Sequence, residues 1–300
     1  MAELQYLILS SAEAGCADEQ DVASARAILQ AVADVDVVGC CSAEDLERVL
    51  KLRDDRIPIV AGGDGSLHHV LQGLHDRGEL QSVPVGLLPM GTGNDFARSI
   101  GLPLDMQEAA RALLAARLAP VDLAVDDTGR VLVNAGHVGV GAAASESAGS
   151  FKKALGPVGY RLGSLIAGLR SPGWPVQVEV DGAVVTDSTT PLLMAAVGNG
   201  RMIGGGGELF PGASLDDGLL EVMVSTANDP GSRTGFATDL QLGRHLQRPD
   251  VVSVRGRSVT FRGTGVPMNV DGELLTLEGS RTWRVRQGGW TTLVPVEQPD

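Results

Sequence analysis

Ile57-Pro-Ile-Val-Ala-Gly62-Gly63-Asp64-Gly65-Ser66-Leu67-His68-His69-Val70-Leu71 sets a short β-branched run against a glycine turn and then a helical pattern. Leu67, Val70, Leu71 and Leu74 recur at the i, i+3, i+4, i+7 spacing of one helix face. Glycines let backbone N–H groups turn toward a ligand, and the start of a helix adds partial positive charge. The stretch therefore predicts a strand, a phosphate-shaped turn and a helix. Asp64 is the anomaly, a carboxylate inside a nest suited to anions.

The arrangement recurs some way downstream. Val83-Pro-Val-Gly-Leu-Leu-Pro89 reads as a buried strand, followed after Met90 by Gly91-Thr92-Gly93-Asn94-Asp95-Phe96-Ala97-Arg98. Neighbouring parallel strands would open both turns on one edge of a sheet, where α/β domains bind ligands. Two ordinary tight turns with Asp64 and Asp95 as helix caps are the plainer alternative. A dinucleotide fingerprint is excluded, because the third glycine position holds His68 in one loop and Phe96 in the other. With no lysine beside either loop, a P-loop is excluded too.

Outward from these loops, the first part of the chain alternates strand and helix. Tyr6 to Leu9 and Val35 to Val38 read as strands, Val22 to Val32 as a helix, and Ser42 and Asp105 as helix caps. A doubly wound, mostly parallel α/β domain over residues 1–120 follows. From residue 121 the period changes to two, as in Val121, Leu123, Val125 and Val176, Val178, Val180, the latter leading into an Asp181-Gly182 hairpin turn. Further strands are expected at 192–197, 219–224, 251–255, 258–261, 274–277 and 283–286. Residues 121–288 thus read as an antiparallel, β-sandwich-like domain with two helical insertions, and the tail at 289–300 is expected to return to the first domain.

Gly62-Gly63-Asp64-Gly65-Ser66, Gly91-Thr92-Gly93-Asn94-Asp95-Phe96-Ala97, Gly198-Asn199-Gly200 with Gly204 to Gly207, Asp216-Asp217-Gly218-Leu219-Leu220 and Asp271-Gly272-Glu273 occur in that order. Together they resemble the diacylglycerol kinase catalytic-domain family in its soluble bacterial lipid-kinase form. The resemblance spans nearly the whole chain. It implies an ATP- and Mg²⁺-dependent enzyme that phosphorylates a hydroxyl of a lipid such as diacylglycerol. It also implies nucleotide contacts from Gly62, Gly63, Asp64, Gly65, Ser66, Leu67, His68, Gly91, Thr92, Gly93, Asn94, Asp95 and Glu273. Asp271 becomes the expected general base with Asp64 as its rival, and Asp217, Ser214 and Leu219 the expected metal ligands. On the residues alone Asp271-Gly272 reads equally as a plain hairpin turn. An NAD kinase-like enzyme and a non-catalytic binding protein are the alternative functions. The family's N-terminal Asn-Pro and basic residue are replaced here by Ser10-Ser11-Ala12-Glu13-Ala14-Gly15, and Gly139-Val140-Gly141-Ala142 stands where Gly-x-Asp-Ala is usual.

Composition narrows the classes further. The chain has 300 residues, of which 43% are hydrophobic, enough for one large or two modest cores. Cys16, Cys40 and Cys41 form no Cys-x-x-Cys pair, which fits a reducing compartment, and no signal peptide or membrane span is read. A cytoplasmic protein is expected. The net charge of −13 argues against nucleic acid as a partner. Two like charges about 4 Å apart repel by roughly 4 kcal/mol at an effective dielectric near 20, so aspartates beside phosphates call for Mg²⁺ between them. The segment 151–170 carries Lys152, Lys153, Arg161 and Arg170 without an acid, and it reads either as a helix packed on the β domain with solvated bases or as a peripheral contact with the inner face of a membrane. The partners expected are ATP, a lipid substrate and, in the assembled form, a second copy as a homodimer.

Overall fold

The computed structural model describes residues 4–11, 16–140, 142 and 173–296. They fall into two compact units, one drawn from 1–123, 204–206 and 287–300, the other from 124–203 and 207–286.

The first unit alternates β1 (Leu4–Ser11), α1 (Cys16–Leu29), β2 (Ala33–Cys40), α2 (Ala43–Leu52), β3 (Ile57–Gly62), α3 (Asp64–Asp76) and β4 (Gly86–Pro89), then adds α4 (Asp95–Ser99) and α5 (Met106–Leu113). Its sheet runs β2-β1-β3-β4 with every pair parallel. Ser42 Oγ accepts from Asp45 N at 3.1 Å and Asp105 Oδ1 from Glu108 N at 2.9 Å, the two caps the sequence marks. Each such cap stabilises by about 1 kcal/mol. Leu67, Leu71 and Leu74 of α3 are fully buried with Ile59 and Leu88 of the sheet, which fixes the helix start against the strand end. α1 begins six residues before the expected Val22, because Glu19, Gln20 and Asp21 face solvent and carry no apolar period.

The second unit is built on antiparallel strands: β5 (Arg117–Asp126, entering from the first unit), β6 (Val131–Leu132), β7 (Ala135–Gly139), β8 (Gln177–Val180), β9 (Ala183–Thr186), β10 (Met194–Gly198), β11 (Met202–Ile203), β12 (Gly207–Glu208) and β13 (Leu220–Ser225). After α6 (Pro230–Gln241) come β14 (Val251–Gly256), β15 (Ser258–Val270) and β16 (Glu273–Val294). The large sheet runs β14-β13-β10-β7-β15-β16-β5-β6, with β8 added on β15 and β9 on β8. Asp181-Gly182 and Asp271-Gly272 close two-residue hairpins with positive φ at both positions, 50° and 81° in the first and 49° and 96° in the second. That is the type I′ turn, whose twist matches the strands it joins. The strands expected at 274–277 and 283–286 are one continuous β16. Its last turn belongs to the first unit, where Val85 N donates to Thr291 O at 2.9 Å and Trp290 packs 5.2 Å from Phe96.

Close packing of this sheet has a measurable consequence at Gly198. A Cβ there would lie 2.3 Å from Cε2 of the buried Phe210 ring. Gly198→Ala is expected to cost about 2–3 kcal/mol by overpacking, read as a lower urea midpoint at unchanged slope.

The basic segment 151–170, with Lys152, Lys153, Arg161 and Arg170, lies outside the described residues, as does Gly141. Among the described residues, no helix is long and apolar enough to cross a membrane.

Candidate functional site

The glycine loops are the starting point. A Cβ at Gly62 would meet Ser66 Cβ and Oγ at 2.5 Å, so the turn from β3 into α3 closes this tightly only over glycine. Between the loops the fit is closer still. A Cβ on Gly91 would stand 2.6 Å from Gly63 Cα, and one on Gly63 would stand 2.9 Å from Gly91 Cα. Met90 N donates to Gly62 O at 3.0 Å, and Asn94, held left-handed at φ 52°, clasps Gly91 from both sides. Its Oδ1 accepts from Gly91 N at 2.9 Å while its Nδ2 donates to Gly91 O at 2.8 Å. Both loops thus stand backbone to backbone at the ends of the paired strands β3 and β4, on one sheet edge.

Two aspartates lock this edge. Asp64 accepts from Asp95 N at 3.0 Å and from Phe96 N at 2.9 Å, capping α4. Asp95 in turn accepts from Gly205 N at 3.1 Å and Gly206 N at 2.9 Å, drawing the third glycine segment against the other two. Burial pushes the Asp95 carboxyl above the usual carboxylate range; the Gly205 and Gly206 N–H groups oppose that shift, and the nearby Asp64 charge adds to it. Backbone N–H groups thus surround both carboxylates. Leu67 and His68 are buried on the core face of α3, and Leu67 N already donates to Gly63 O at 3.1 Å. The exposed loop residues are Gly65, Ser66 and Thr92, and the N–H groups of Gly65 and Ser66 precede the first helical hydrogen bond.

In the second unit Asp271 is both hairpin turn and anchor. Its carboxylate accepts from Val133 N at 2.7 Å, Asn134 N at 2.8 Å and Ala135 N at 3.1 Å, while its own N–H donates to Ala135 O at 3.0 Å. The Gly198-Asn199-Gly200 motif braces the same segment: Asn199 N donates to Asn134 O at 2.8 Å and Asn199 Nδ2 to Val133 O at 3.2 Å. Motifs distant in sequence meet here. Glu273, next to the turn, forms an ion pair with Arg130.

The turn expected to hold a metal has its carboxylates engaged with neighbouring groups. Leu219 N donates to Asp217 Oδ1 at 3.0 Å, Ser214 Oγ donates to Asp216 Oδ1 at 2.6 Å, and Asp217 is ion-paired with Arg255. Arg255 also holds Glu221 at 2.7 Å. A guanidinium therefore supplies the positive charge that a hard cation would bring, and a cation on Asp217 would have to displace it. Among the described residues no group of three or more His, Cys, Asp and Glu side chains is placed to hold a metal.

Comparison with known proteins agrees with this architecture. Residues 5–125 match the family described as the diacylglycerol kinase catalytic domain, and residues 134–287 the one described as the YegS C-terminal NAD kinase beta sandwich-like domain. A "Probable lipid kinase YegS-like" protein of Klebsiella pneumoniae (strain 342) is 34% identical over 238 residues, covering 77% of this chain and 75% of that protein. A diacylglycerol kinase of Staphylococcus carnosus (strain TM300) is 28% identical over 222 residues, covering 73% of this chain and 71% of its own. A solved diacylglycerol kinase from Bacillus anthracis str. Sterne shares the fold with a TM-score of 0.78 over 98% of each chain, at 23% identity. With a parallel α/β half and an antiparallel β half each matched in turn, the chain belongs to the diacylglycerol kinase-like family of lipid kinases.

Proposed function

We propose that this chain transfers the γ-phosphate of ATP to a hydroxyl of a lipid such as diacylglycerol. The observation that carries the reading is the backbone contact of Gly63 with Gly91, which sets two phosphate-shaped loops on one sheet edge. Phosphoryl transfer needs the phosphates held, their charge neutralised and the attacking hydroxyl oriented beside a base. Gly62, Gly63, Gly65, Ser66, Gly91, Thr92, Gly93 and Asn94 would hold the phosphates through backbone N–H and hydroxyl groups. Mg²⁺ arriving with the nucleotide would neutralise charge on the phosphates, and no protein step is routed through the Asp217 turn. Residues 1–120 then serve the nucleotide and 121–288 the lipid.

Asp271 is the base in this reading. Three backbone donors fix its carboxylate at one end of β15, the kind of rigid placement that general-base catalysis requires. Asp64 accepts two backbone N–H groups as well, and these tie the first glycine loop to the second, so it stands as the rival base.

Radiolabelled ATP offered with mixed lipid micelles in one tube and NAD in another tests the proposal. Label is expected in the lipid. Label in NAD instead would replace the lipid reading, and label in neither, with ATP still raising the melting temperature, would support a nucleotide-binding protein without transfer.

A further inference from the structure

β7 is the strand whose sequence gives no strand signal, and it carries an unusual side chain. Ala135, His137 and Gly139 alternate with Gly136 and Val138, and Val138 joins the apolar cluster of Ala195, Val197, Met268 and Val270. His137 consequently faces the opposite side of the sheet, with Ala196 of β10 and Asn269 of β15 as its cross-strand partners. It is 7% exposed, and its Nδ1 is buried without a hydrogen-bond partner. Burial alone lowers its pKa to about 4, so the ring is neutral at pH 7 and offers one donor and one acceptor. A buried polar atom left unpaired costs free energy that a leucine or phenylalanine in the same place would not. Among the described residues no hydrogen bond to Nδ1 returns that cost.

What surrounds His137 gives the cost a purpose. Two residues back along β7, Ala135 N donates to the Asp271 carboxylate; Asp271 lies two residues past Asn269, in the turn that follows β15. Asn269 is oriented in its turn, because Gly272 N donates to its Oδ1 at 2.9 Å. Strand geometry places neighbouring positions of one face about 7 Å apart. His137 and Asn269 are therefore cross-strand neighbours on one face, and Asp271 stands in the turn just beyond them.

We propose that His137 is a specificity-determining residue that hydrogen-bonds a neutral oxygen, hydroxyl or ester, of the lipid acceptor and holds that end beside Asp271. A neutral imidazole brings no charge to attract an anionic head group. The acceptor it selects is an uncharged lipid alcohol. The inference rests on the lipid-kinase reading given above and deepens it.

The test compares wild type, His137→Phe and His137→Gln with a short-chain diacylglycerol, scoring both phosphorylation and the melting-temperature shift caused by the lipid alone. His137→Phe is expected to melt a few degrees higher in the free state, because the unpaired atom is gone, while its KM for lipid rises about tenfold and kcat and KM for ATP stay within about twofold. His137→Gln keeps a donor and an acceptor and is expected to recover most of the lipid KM. A KM for lipid and a lipid-induced shift unchanged in His137→Phe would overturn the proposal. Lipid that shifts wild type but not His137→Phe, in an enzyme that labels only NAD, would retire the lipid-kinase reading and keep His137 as a lipid contact. Absence of both shift and phosphorylation in wild type would end the two together.

Discussion

Gly91→Ala is expected to abolish tight ATP binding and to lower phosphoryl transfer by about a hundredfold or more, the effect of roughly an ångström of misplacement at a reacting centre. The added Cβ would sit 2.6 Å from Gly63 Cα and 2.8 Å from Asn94 Oδ1. The nearer contact is backbone against backbone, so no flexible side chain can yield, and the loops must part. Separation also strains the two Asn94–Gly91 hydrogen bonds that lace the second loop. Together these losses are expected to cost about 2–4 kcal/mol. Gly65→Ala is the control, because a Cβ there meets nothing within 4 Å, and its stability should stay within about 0.5 kcal/mol of wild type. Thermal unfolding and ATP titration of both variants check the prediction. Wild-type ATP affinity in Gly91→Ala would show that the loop-to-loop contact does not shape the nucleotide site.

The same physical device recurs through the molecule. Asp64 gathers two N–H groups from the next glycine motif, Asp95 two from the third, Asp271 three from residues 133–135 where β7 begins, and Asp181 those of Arg257 and Ser258. Hydrogen bonds to an ionised group are stronger than neutral ones, at about 1.5–3 kcal/mol each. A chain with 37 acidic and only 24 basic residues cannot pair every carboxylate with a cation. Backbone donors take that part instead, and each acid then ties together segments distant in the chain.

This explains which features the sequence discloses. β3 with α3 and β4 with α4 are local units, and their glycines, caps and periodicity all lie within a few residues of one another. Ser42 and Asp105 are recognisable for the same reason. The partners of Asp64, Asp95 and Asp271 lie 31, 110 and up to 138 residues away, so nothing beside each aspartate in the chain announces its task. Arg255, which compensates Asp217, is 38 residues from it. β7 escapes notice because Ala135, Gly136 and Gly139 have little strand preference, and only burial between β10 and β15 makes them a strand. His137 reads from sequence as one more core or surface histidine. Its lack of a partner exists only in three dimensions.

Asp271→Asn should divide the anchoring role of this carboxylate from its chemical one. The amide keeps Oδ1 as an acceptor, yet its NH2 group turns a donor toward a backbone N–H that had met an oxygen. Unfolding free energy is expected to fall by about 2–3 kcal/mol. If Asp271 takes the proton of the lipid hydroxyl, kcat falls by about 10²- to 10⁴-fold, the usual contribution of a general base, while KM for ATP holds. Asp64→Asn is expected to do the reverse: it weakens the cap on α4 and the tie between the glycine loops, so nucleotide affinity suffers first. Rates are to be read well below the melting temperature of each variant, so that loss of folded protein does not pass for loss of chemistry. An Asp271→Asn enzyme within tenfold of the wild-type kcat, beside an Asp64→Asn enzyme that binds ATP normally but does not turn over, would transfer the base to Asp64 and leave Asp271 as the post that holds residues 133–135 in place.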